Sequence, residues 1–503
     1  MHHPNPEEHI ADAIADVAGR IAAIAGASVQ LAAHVADRVE RLVSGVLLDS
    51  REVAEQSEAL FRVASERAAV LGGVLRATPR FARVTGEVLR LAAAYRVQRT
   101  RDALLSPEQA AREREELHRR GAERLHALCV ELRGGVLKVG QFASSRMDLL
   151  PRPYVDALSR LQDRVPPVPY EGIASRIEED LGAPPVALFA SFDAVPIAAA
   201  SLAQVHGATL HDGSRVAVKV LVPGIEDEVE ADLAALSLLA VVLRDAFPQI
   251  DLQTIADELA RSVRAELDYV REAEHARAFA RNFAGDARIV VPRLHDALCS
   301  PRVLTMERID GPALVPFLDA CALRGDAGAR DRDHVLATLI DATCAQVLRH
   351  GLFQGDPHPG NFLVADGARL VLLDFGAAQQ LPDEVRRAYA ELAGAILTGS
   401  AQRAASLLHE LGFRTASGDA TPLVEVAELL LELFRAGAAH PLGDVDPAQS
   451  FATFLAAIEA NPVVRLPGHF VLLGRVFASL GGLLLRYRPD IALFEILVAH
   501  LRH

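Results

Sequence analysis

Three polar side chains sit among apolar residues at spacings that suit cation chemistry. In "GLFQGDPHPGNFLV", residues 351–364, Asp356 and Asn361 are five residues apart within a turn bounded on both sides by apolar residues. Asp374 ends the apolar run "LVLLD" and is followed by Phe375 and Gly376, so its carboxylate falls at a strand end before a turn that glycine permits. A carboxylate and an amide so placed can hold a divalent cation, and Asp356 can orient or deprotonate an attacking hydroxyl.

The lysines point the same way. Lys138 and Lys219 are the only two in the chain; the other 50 of its 52 cationic residues are Arg. These two therefore mark places where a compact ammonium is hard to replace with a planar guanidinium. Lys219 lies in "VAVKV", an upstream strand where a lysine can meet the α and β phosphates of a nucleotide. The stretch "AELDYVREAE" offers Glu266, Asp268, Glu272 and Glu274 to orient it. On one continuous helix Glu266 and Glu272 lie about 240° apart and can serve two partners. With Lys219 before it and "DFG" after it, the Asp356 to Asn361 spacing follows the kinase pattern D-x-x-x-x-N. In that pattern Asp356 acts on the attacking hydroxyl, while Asn361 and Asp374 bind Mg²⁺ that bridges nucleotide phosphates.

At 503 residues the chain is too long for one core, and half its residues are hydrophobic, which argues for packed units rather than disorder. A net charge of −14 disfavours nucleic acid as the partner. Cys129, Cys299, Cys321 and Cys344 lack CxxC pairing and read as buried thiols in a reducing compartment, with neither a disulfide framework nor a zinc site. "MHHPNPEEHI" lacks a basic segment followed by an apolar core, so no secretory signal is expected. The longest apolar runs, Leu233 to Leu243 and Val476 to Leu485, read as too short to span a bilayer, and Arg475 interrupts the second upstream. These features predict a cytoplasmic protein, compatible with peripheral contact at the inner face of a membrane.

The elements that must position the site are mixed. Ile10, Ile14, Val17, Ile21 and Ile24, then Leu31, Val35, Val39, Leu42 and Val46, recur at three and four and predict an amphipathic helical seam suited to packing or homodimerisation. Residues 76–101 carry seven Arg, with Phe81 and Tyr95, against one Glu; a solvated helix face is the plainer reading and a membrane or acidic partner the sharper one. "VALFASFDAV", "SLAQVHGATL" and "SRVAVKVLV" read as short strands, the last two joined by the turn "HDGS". Helical patterns follow from Ile225 to Phe247 and from Leu252 to Ala284, then strands at "ARIVVPRL" and "RVLTMERI". From Pro312 onward the pattern is mostly helical, interrupted by the Asp356 turn and "ARLVLLDFGAA".

Taken in order, "LKVGQFASSRMDLLP", "PIAAASLAQVH", "ELDYVREAE", "QGDPHPGNF" and "LLDFGAA" resemble the motifs of the UbiB/AarF-domain (ADCK) atypical protein-kinase-like family, over roughly Glu131 to Asp490. The resemblance implies an α+β, bilobal protein-kinase-like fold: a helical N-terminal extension over 1–130, a KxGQ helical segment over 131–180, a small β-rich N-lobe over 181–311 and a helical C-lobe over 312–503. It implies ATP and Mg²⁺ as cofactors. It gives Lys138 and Gln141 a regulatory place on an extension folded across the active site, with Lys138 meeting Glu266 or Asp268 of the ExD segment and Lys219 pairing with Glu272. Ala198, Ala199, Ala200 and Ser201 would replace the kinase glycine loop; a Cβ at each alanine restricts φ, so phosphates would be held differently. Met306 and Glu307 fall by position at a gatekeeper and hinge, with backbone groups for adenine. An obstructed protein-substrate site favours ATPase activity or a small lipid-like substrate, and the family is associated with isoprenoid quinone biosynthesis and with membranes.

One departure qualifies this: the last segment, "FEILVAHLRH", is short, so integral anchoring is not expected. No APE-like activation segment follows "DFG", and the resemblance implies none, so phosphorylation-controlled activation is not expected. An aminoglycoside-kinase-like phosphotransferase shares an HGDxHxxN loop, but Gln354 stands where that loop has His, and the KxGQ segment is foreign to it. The other alternative is a nucleotide-binding scaffold without turnover, which has no need of Asp356, Asn361 and Asp374 together.

Overall fold

The computed structural model describes residues 78–102, 105–144, 151–161, 166–243 and 252–415, and beyond these 423–424, 426–428, 463–465 and 467–501. The helical seam expected within 10–46, and dimerisation through it, lie outside the described residues. The chain opens with helices α1 (Thr78–Asp102), α2 (Pro107–Leu132), α3 (Gly134–Ser144), α4 (Arg152–Leu158) and α5 (Tyr170–Leu181). Strands β1 (Ser191–Phe192), β2 (Ala198–Ala199), β3 (Ala203–Thr209) and β4 (Arg215–Leu221) follow. Next come α6 (Ile225–Leu243), α7 (Leu252–Ala265), α8 (Tyr269–Asn282), β5 (Ile289–Val290), β6 (Val303–Glu307), α9 (Leu314–Cys321) and α10 (Gly325–Cys344). After a π-helical turn over Ala345–His350 the chain forms β7 (Leu352–Gln354), β8 (Phe362–Ala365), β9 (Arg369–Leu372), β10 (Ala378–Gln380), α11 (Asp383–Leu397) and α12 (Ala401–Glu410). It closes with β11 (Arg414–Thr415), β12 (Val463–Arg465), α13 (Gly468–Tyr487) and α14 (Leu493–Leu501).

Two compact units result: Met1–Pro185, Asp193–His206 and Lys219–Leu267 form the first, and Val186–Phe192, Gly207–Val218 and Asp268–His503 the second. In the first, Ser106 and Gln109 make a reciprocal capping box that starts α2, with Pro107 at its first position. Arg133 and Gly134 take φ of 58° and 53°, turning the chain into α3. α3 packs tightly because Gly135 and Gly140 carry no side chain. A Cβ at Gly135 would stand 2.7 Å from Asp232 Oδ2 and 3.0 Å from Val229 Cγ2, and one at Gly140 would stand 2.8 Å from Cys129 Sγ. Buried Asp232 of α6 accepts a 2.8 Å hydrogen bond from the Val136 amide, satisfying one orphan donor of α3's first turn. Leu128, Cys129, Leu137, Leu158 and Ala235 form the core around this contact. Two arginines of α1 are paired inside the unit, Arg83 forked onto Glu131 and Arg101 beside Glu113, both on α2.

The helix expected over 252–284 is two helices. Asp268 adopts an extended backbone and its side chain accepts from Arg271 N at 3.1 Å, which caps α8 and ends continuity with α7. Glu266 and Glu272 diverge because they belong to different elements, and not because they lie 240° apart on one helix. "VALFASFDAV" also departs from the strand reading: Pro185–Leu188 forms a helical turn and only Ser191–Phe192 is extended. The small sheet has the order β1-β3-β4-β6 with β2 paired on β3, and Gly213, at φ 87°, completes the turn in "HDGS".

In the second unit β9 is central, parallel to β5 and antiparallel to β8, while β7 and β10 form a separate antiparallel pair. Phe279, Phe353, Phe362, Phe375 and Phe413 are wholly buried in its core. Among the described residues, α13 is the one helix long and apolar enough to cross a membrane by length and composition. The run read as too short to span is the C-terminal half of this helix, which begins at Gly468 and continues through Arg475. Leu473, Val476, Leu480 and Leu483, three and four residues apart, bury one face of it in the unit's core.

Candidate functional site

Two short ladders bring Asp356, Asn361 and Asp374 onto adjacent loops of the second unit. Gln354 pairs with Ala378 between β7 and β10, and Phe362 pairs with Leu372 between β8 and β9. The intervening segments are stitched at both ends, by Gly355 N donating to Ala377 O at 3.1 Å and Leu373 N donating to Asn361 O at 3.1 Å. The short-range pattern of hydrophobic strands and polar turns therefore builds the site from two strand-end loops, each held by backbone.

Within them the side chains are oriented. Asn361 Nδ2 donates to Asp356 O at 3.1 Å, which turns Oδ1 away from that bond. Asp374 Oδ1 accepts from Gly376 N at 3.0 Å, leaving Oδ2 outside the turn. His358 Nδ1 accepts from Gly360 N, and Ser479 of α13 donates to Pro357 O at 3.1 Å, so the Pro-His-Pro-Gly stretch is pinned from both sides.

α8 reads the other loop. Glu272, His275 and Phe279 follow one another at three and four and share a helix face. Glu272 is buried, and a Cβ at Gly376 would stand 3.4 Å from both its Oε2 and Asp374 Oδ1. His275 Nδ1 lies 3.0 Å from Phe375 O, and the Phe279 and Phe375 rings pack with centroids 5.2 Å apart. Burial holds the His275 ring below the usual histidine range, opposed by that hydrogen bond.

An amide oxygen and a carboxylate oxygen on two fixed loops suit Mg²⁺, which takes one or two protein oxygens and completes its shell with water and phosphate. Asn361 and Asp374 are the residues that would hold it. Among the described residues, no group of three or more His, Cys, Asp or Glu forms a metal cluster. In the first unit, taken by itself, Ser201 Oγ is buried without a hydrogen-bond partner.

The other expected residues are placed as follows. In the first unit Lys138 Nζ lies 3.0 Å from Glu266 Oε2, one of the two acids expected for it; the Asp268 side chain accepts from Arg271 N and caps α8. Gln141 lies on α3, and Lys219 stands on the half-exposed face of β4. Ala198 and Ala199 form β2, and Ala200 N bonds to Ala203 O. In the second unit Met306 bridges to Leu294 and Glu307 N donates to Arg293 O at 2.8 Å.

Sequence reasoning missed the residues that orient the loops from behind. Gln354, treated as a departure, donates from Nε2 to Asp374 O at 2.8 Å, and its own N–H is taken by Gln346 Oε1. Both glutamines are buried. Two Gln eight residues apart, the second ending the apolar run Leu352–Phe353, were the signal available.

Residues 160–408 match the model of the ABC1 atypical kinase-like domain. A protein of Synechocystis is 33% identical over 377 residues, covering 74% of this chain and 63% of that protein. The chloroplast protein ACTIVITY OF BC1 COMPLEX KINASE 8 of Arabidopsis thaliana is 33% identical over 381 residues, covering 69% of this chain and 49% of that protein. This chain therefore spans between about half and just under two thirds of the length of these relatives. Among solved structures, Rv3197 of Mycobacterium tuberculosis, in complex with erythromycin, is similar at a TM-score of 0.55 and 26% identity, covering 78% of this chain and 97% of that one.

Proposed function

Because the chain belongs to the ABC1 atypical kinase-like family, we propose that it is a magnesium- and ATP-dependent phosphotransferase or ATPase. We place its acceptor among small lipid-like molecules, in a pathway such as isoprenoid quinone biosynthesis, reached peripherally from the cytoplasmic face of a membrane. The observation that supports the chemistry best is the stitching of the Asp356 and Asp374 loops, with the Asn361 amide turned by Asp356 O and one Asp374 oxygen fixed by Gly376 N.

In this proposal Asp356 orients the acceptor hydroxyl, or a water, and takes its proton. Asn361 and Asp374 would hold Mg²⁺, whose chemistry when bound would be to offset phosphate charge. Lys219 would serve the nucleotide phosphates as a compact cation, and the alanine turn, with a Cβ at each step, would deny them the close backbone approach that glycines give. The ion pair of Lys138 with Glu266 anchors α3 to the end of α7, which suits a helix that must stay in place during turnover.

The test is phosphate release from MgATP by wild type and Asp356→Asn, with and without anionic liposomes and a phenolic quinone-precursor mimic, beside calorimetric titration of MgADP. We expect both proteins to bind MgADP and only the wild type to release phosphate, faster with lipid or phenol. Binding without release by the wild type in every mixture would make this a nucleotide-binding scaffold instead.

A further inference from the structure

His358 caps a turn for which histidine is a poor choice. The chain enters the short 3₁₀ turn Pro359–Asn361 with His358 extended, at φ −61° and ψ 135°, and His358 Nδ1 accepts from Gly360 N at 3.1 Å. Asn, Asp and Ser are the residues that cap best, through a side-chain oxygen. An imidazole can accept at Nδ1 only when the single hydrogen of its neutral ring sits on the other nitrogen. The Gly360 amide therefore places that hydrogen on Nε2. The ring is exposed, and among the described residues Nε2 makes no hydrogen bond.

The ring is held firmly for an exposed side chain. Pro359 confines the residue before it to extended backbone, and the two flanking prolines fix their own φ. Pro357 is buried and its carbonyl accepts from Ser479 Oγ at 3.1 Å, while His358 O accepts from Asn361 N at 2.8 Å. Gly360 lets the ring lie close over the turn, since a Cβ there would stand 3.0 Å from Nδ1 and 3.4 Å from Cε1. With the backbone fixed on both sides and one ring nitrogen bonded, the Nε2 donor is set in place before any ligand arrives.

Its position gives that donor a target. Burial alternates along the loop: Pro357 is buried, whereas Asp356 before it is half-buried and His358 after it is exposed. Residues two apart in extended chain emerge on the same side, so the imidazole leaves the core beside the Asp356 carboxylate. Asn361 closes the loop back onto Asp356 O through Nδ2 at 3.1 Å. One loop thus carries a carboxylate suited to an acceptor hydroxyl, a neutral N–H donor, and an amide oxygen suited to a cation. The group that passes between acceptor and cation in phosphoryl transfer is anionic, and its oxygens accept hydrogen bonds.

We propose that His358 donates from Nε2 to a non-bridging oxygen of the transferring phosphoryl group. This rests on the nucleotide reading above and adds a residue to it. In the transfer the bond from the γ phosphorus to the bridging oxygen of ATP breaks as the bond from the acceptor oxygen forms. ADP leaves with the bridging oxygen, and the acceptor proton passes to Asp356. His358 keeps its hydrogen throughout and stabilises the charge on the group being moved. A cap alone would be served as well by Asn; the donor on the far edge of the ring is what Asn lacks.

The experiment separates cap from donor with two variants of the full chain. His358→Asn keeps an acceptor near the Nδ1 position and has no group at Nε2; His358→Gln carries an amide N–H near the Nε2 position and gives up the cap. Thermal unfolding, phosphate release from MgATP, and calorimetric titration of MgADP and of the magnesium complex of the imido analogue of ATP are measured for both and for wild type. We expect His358→Asn to unfold with wild type and bind MgADP equally, while phosphate release falls by about a hundredfold. Its affinity for the triphosphate analogue relative to MgADP should fall by about tenfold. His358→Gln should unfold earlier yet keep more of the release and of the analogue's relative affinity. Wild-type release and analogue affinity in His358→Asn would overturn the proposal and leave the ring as a cap. Release that tracks thermal stability, with His358→Gln below His358→Asn, would overturn it too. If wild type binds MgADP without releasing phosphate, the analogue titrations decide; if it does not bind MgADP, the nucleotide reading fails and this assignment with it.

Discussion

His275 donates from Nδ1 to the backbone oxygen of Phe375 at 3.0 Å, and so ties α8 to the turn that carries Asp374. The carbonyl only accepts, which places the ring hydrogen on Nδ1. The same helix face sets Glu272 beside Gly376 and Phe279 against Phe375, so one surface of α8 holds the turn by an imidazole and an aromatic ring, with a buried carboxylate alongside.

Removing that imidazole should loosen the turn. His275→Ala is expected to cost about 1 kcal/mol from the lost hydrogen bond and to lower turnover more than nucleotide affinity. The pH dependence follows from the direction of the shift. The folded pKa lies below the unfolded value of 6.5 because of burial, so the stability that the neutral ring contributes is present above the unfolded value and is lost as pH falls toward the folded one. Thermal unfolding between about pH 7 and about pH 5 should show a midpoint that falls with acidification, and a shallower fall in His275→Gln.

Two glycines of the site should respond differently to a methyl group. At Gly355 a Cβ would stand 2.7 Å from the backbone oxygen of Ala377, in the ladder that joins the two loops, and backbone has little room to yield. At Gly376 the nearest atoms are side-chain oxygens at 3.4 Å, an ordinary contact. Gly355→Ala is expected to destabilise by about 2 kcal/mol or more, and Gly376→Ala by clearly less while still weakening Mg²⁺-dependent nucleotide binding. Denaturant unfolding and calorimetry on the pair would separate the effects; equal destabilisation by both would count against the geometry.

The triad of Asp356, Asn361 and Asp374 was legible because its information is local: a polar turn of fixed spacing and a strand ending in a carboxylate before glycine. The break between Glu266 and Glu272 was not. The helical pattern runs straight across "AELDYVREAE", and only the competition of the Asp268 side chain for the Arg271 amide divides it. Nor did any periodicity point to Gln354 or Ser479, whose partners Asp374 and Pro357 lie 20 and 122 residues away in sequence. The membrane-length helix was hidden because the apolar run begins at Val476, after Arg475, whereas α13 begins at Gly468 and runs on through that position.

The pairing of Lys138 with Glu266 can be measured directly. Their side chains are 19% and 30% exposed, less screened than a surface pair but still wet. A double-mutant cycle with Lys138→Met and Glu266→Gln should give a coupling of about 1 kcal/mol. Lys138→Arg should recover only part of it, since a guanidinium cannot replace a compact ammonium atom for atom. A coupling of zero would make the 3.0 Å contact incidental.

The most direct test of the central claim is the rate of Mg²⁺-dependent phosphate release from ATP by wild type and by Asp374→Asn, with folding of both checked by thermal unfolding. If Asp374 holds the cation that Asn361 also faces, the substitution lowers release by roughly a hundredfold or more at saturating ATP while the fold persists. Release that is equal in the two proteins, or independent of Mg²⁺, would contradict the assignment of this loop pair as the site of phosphoryl chemistry.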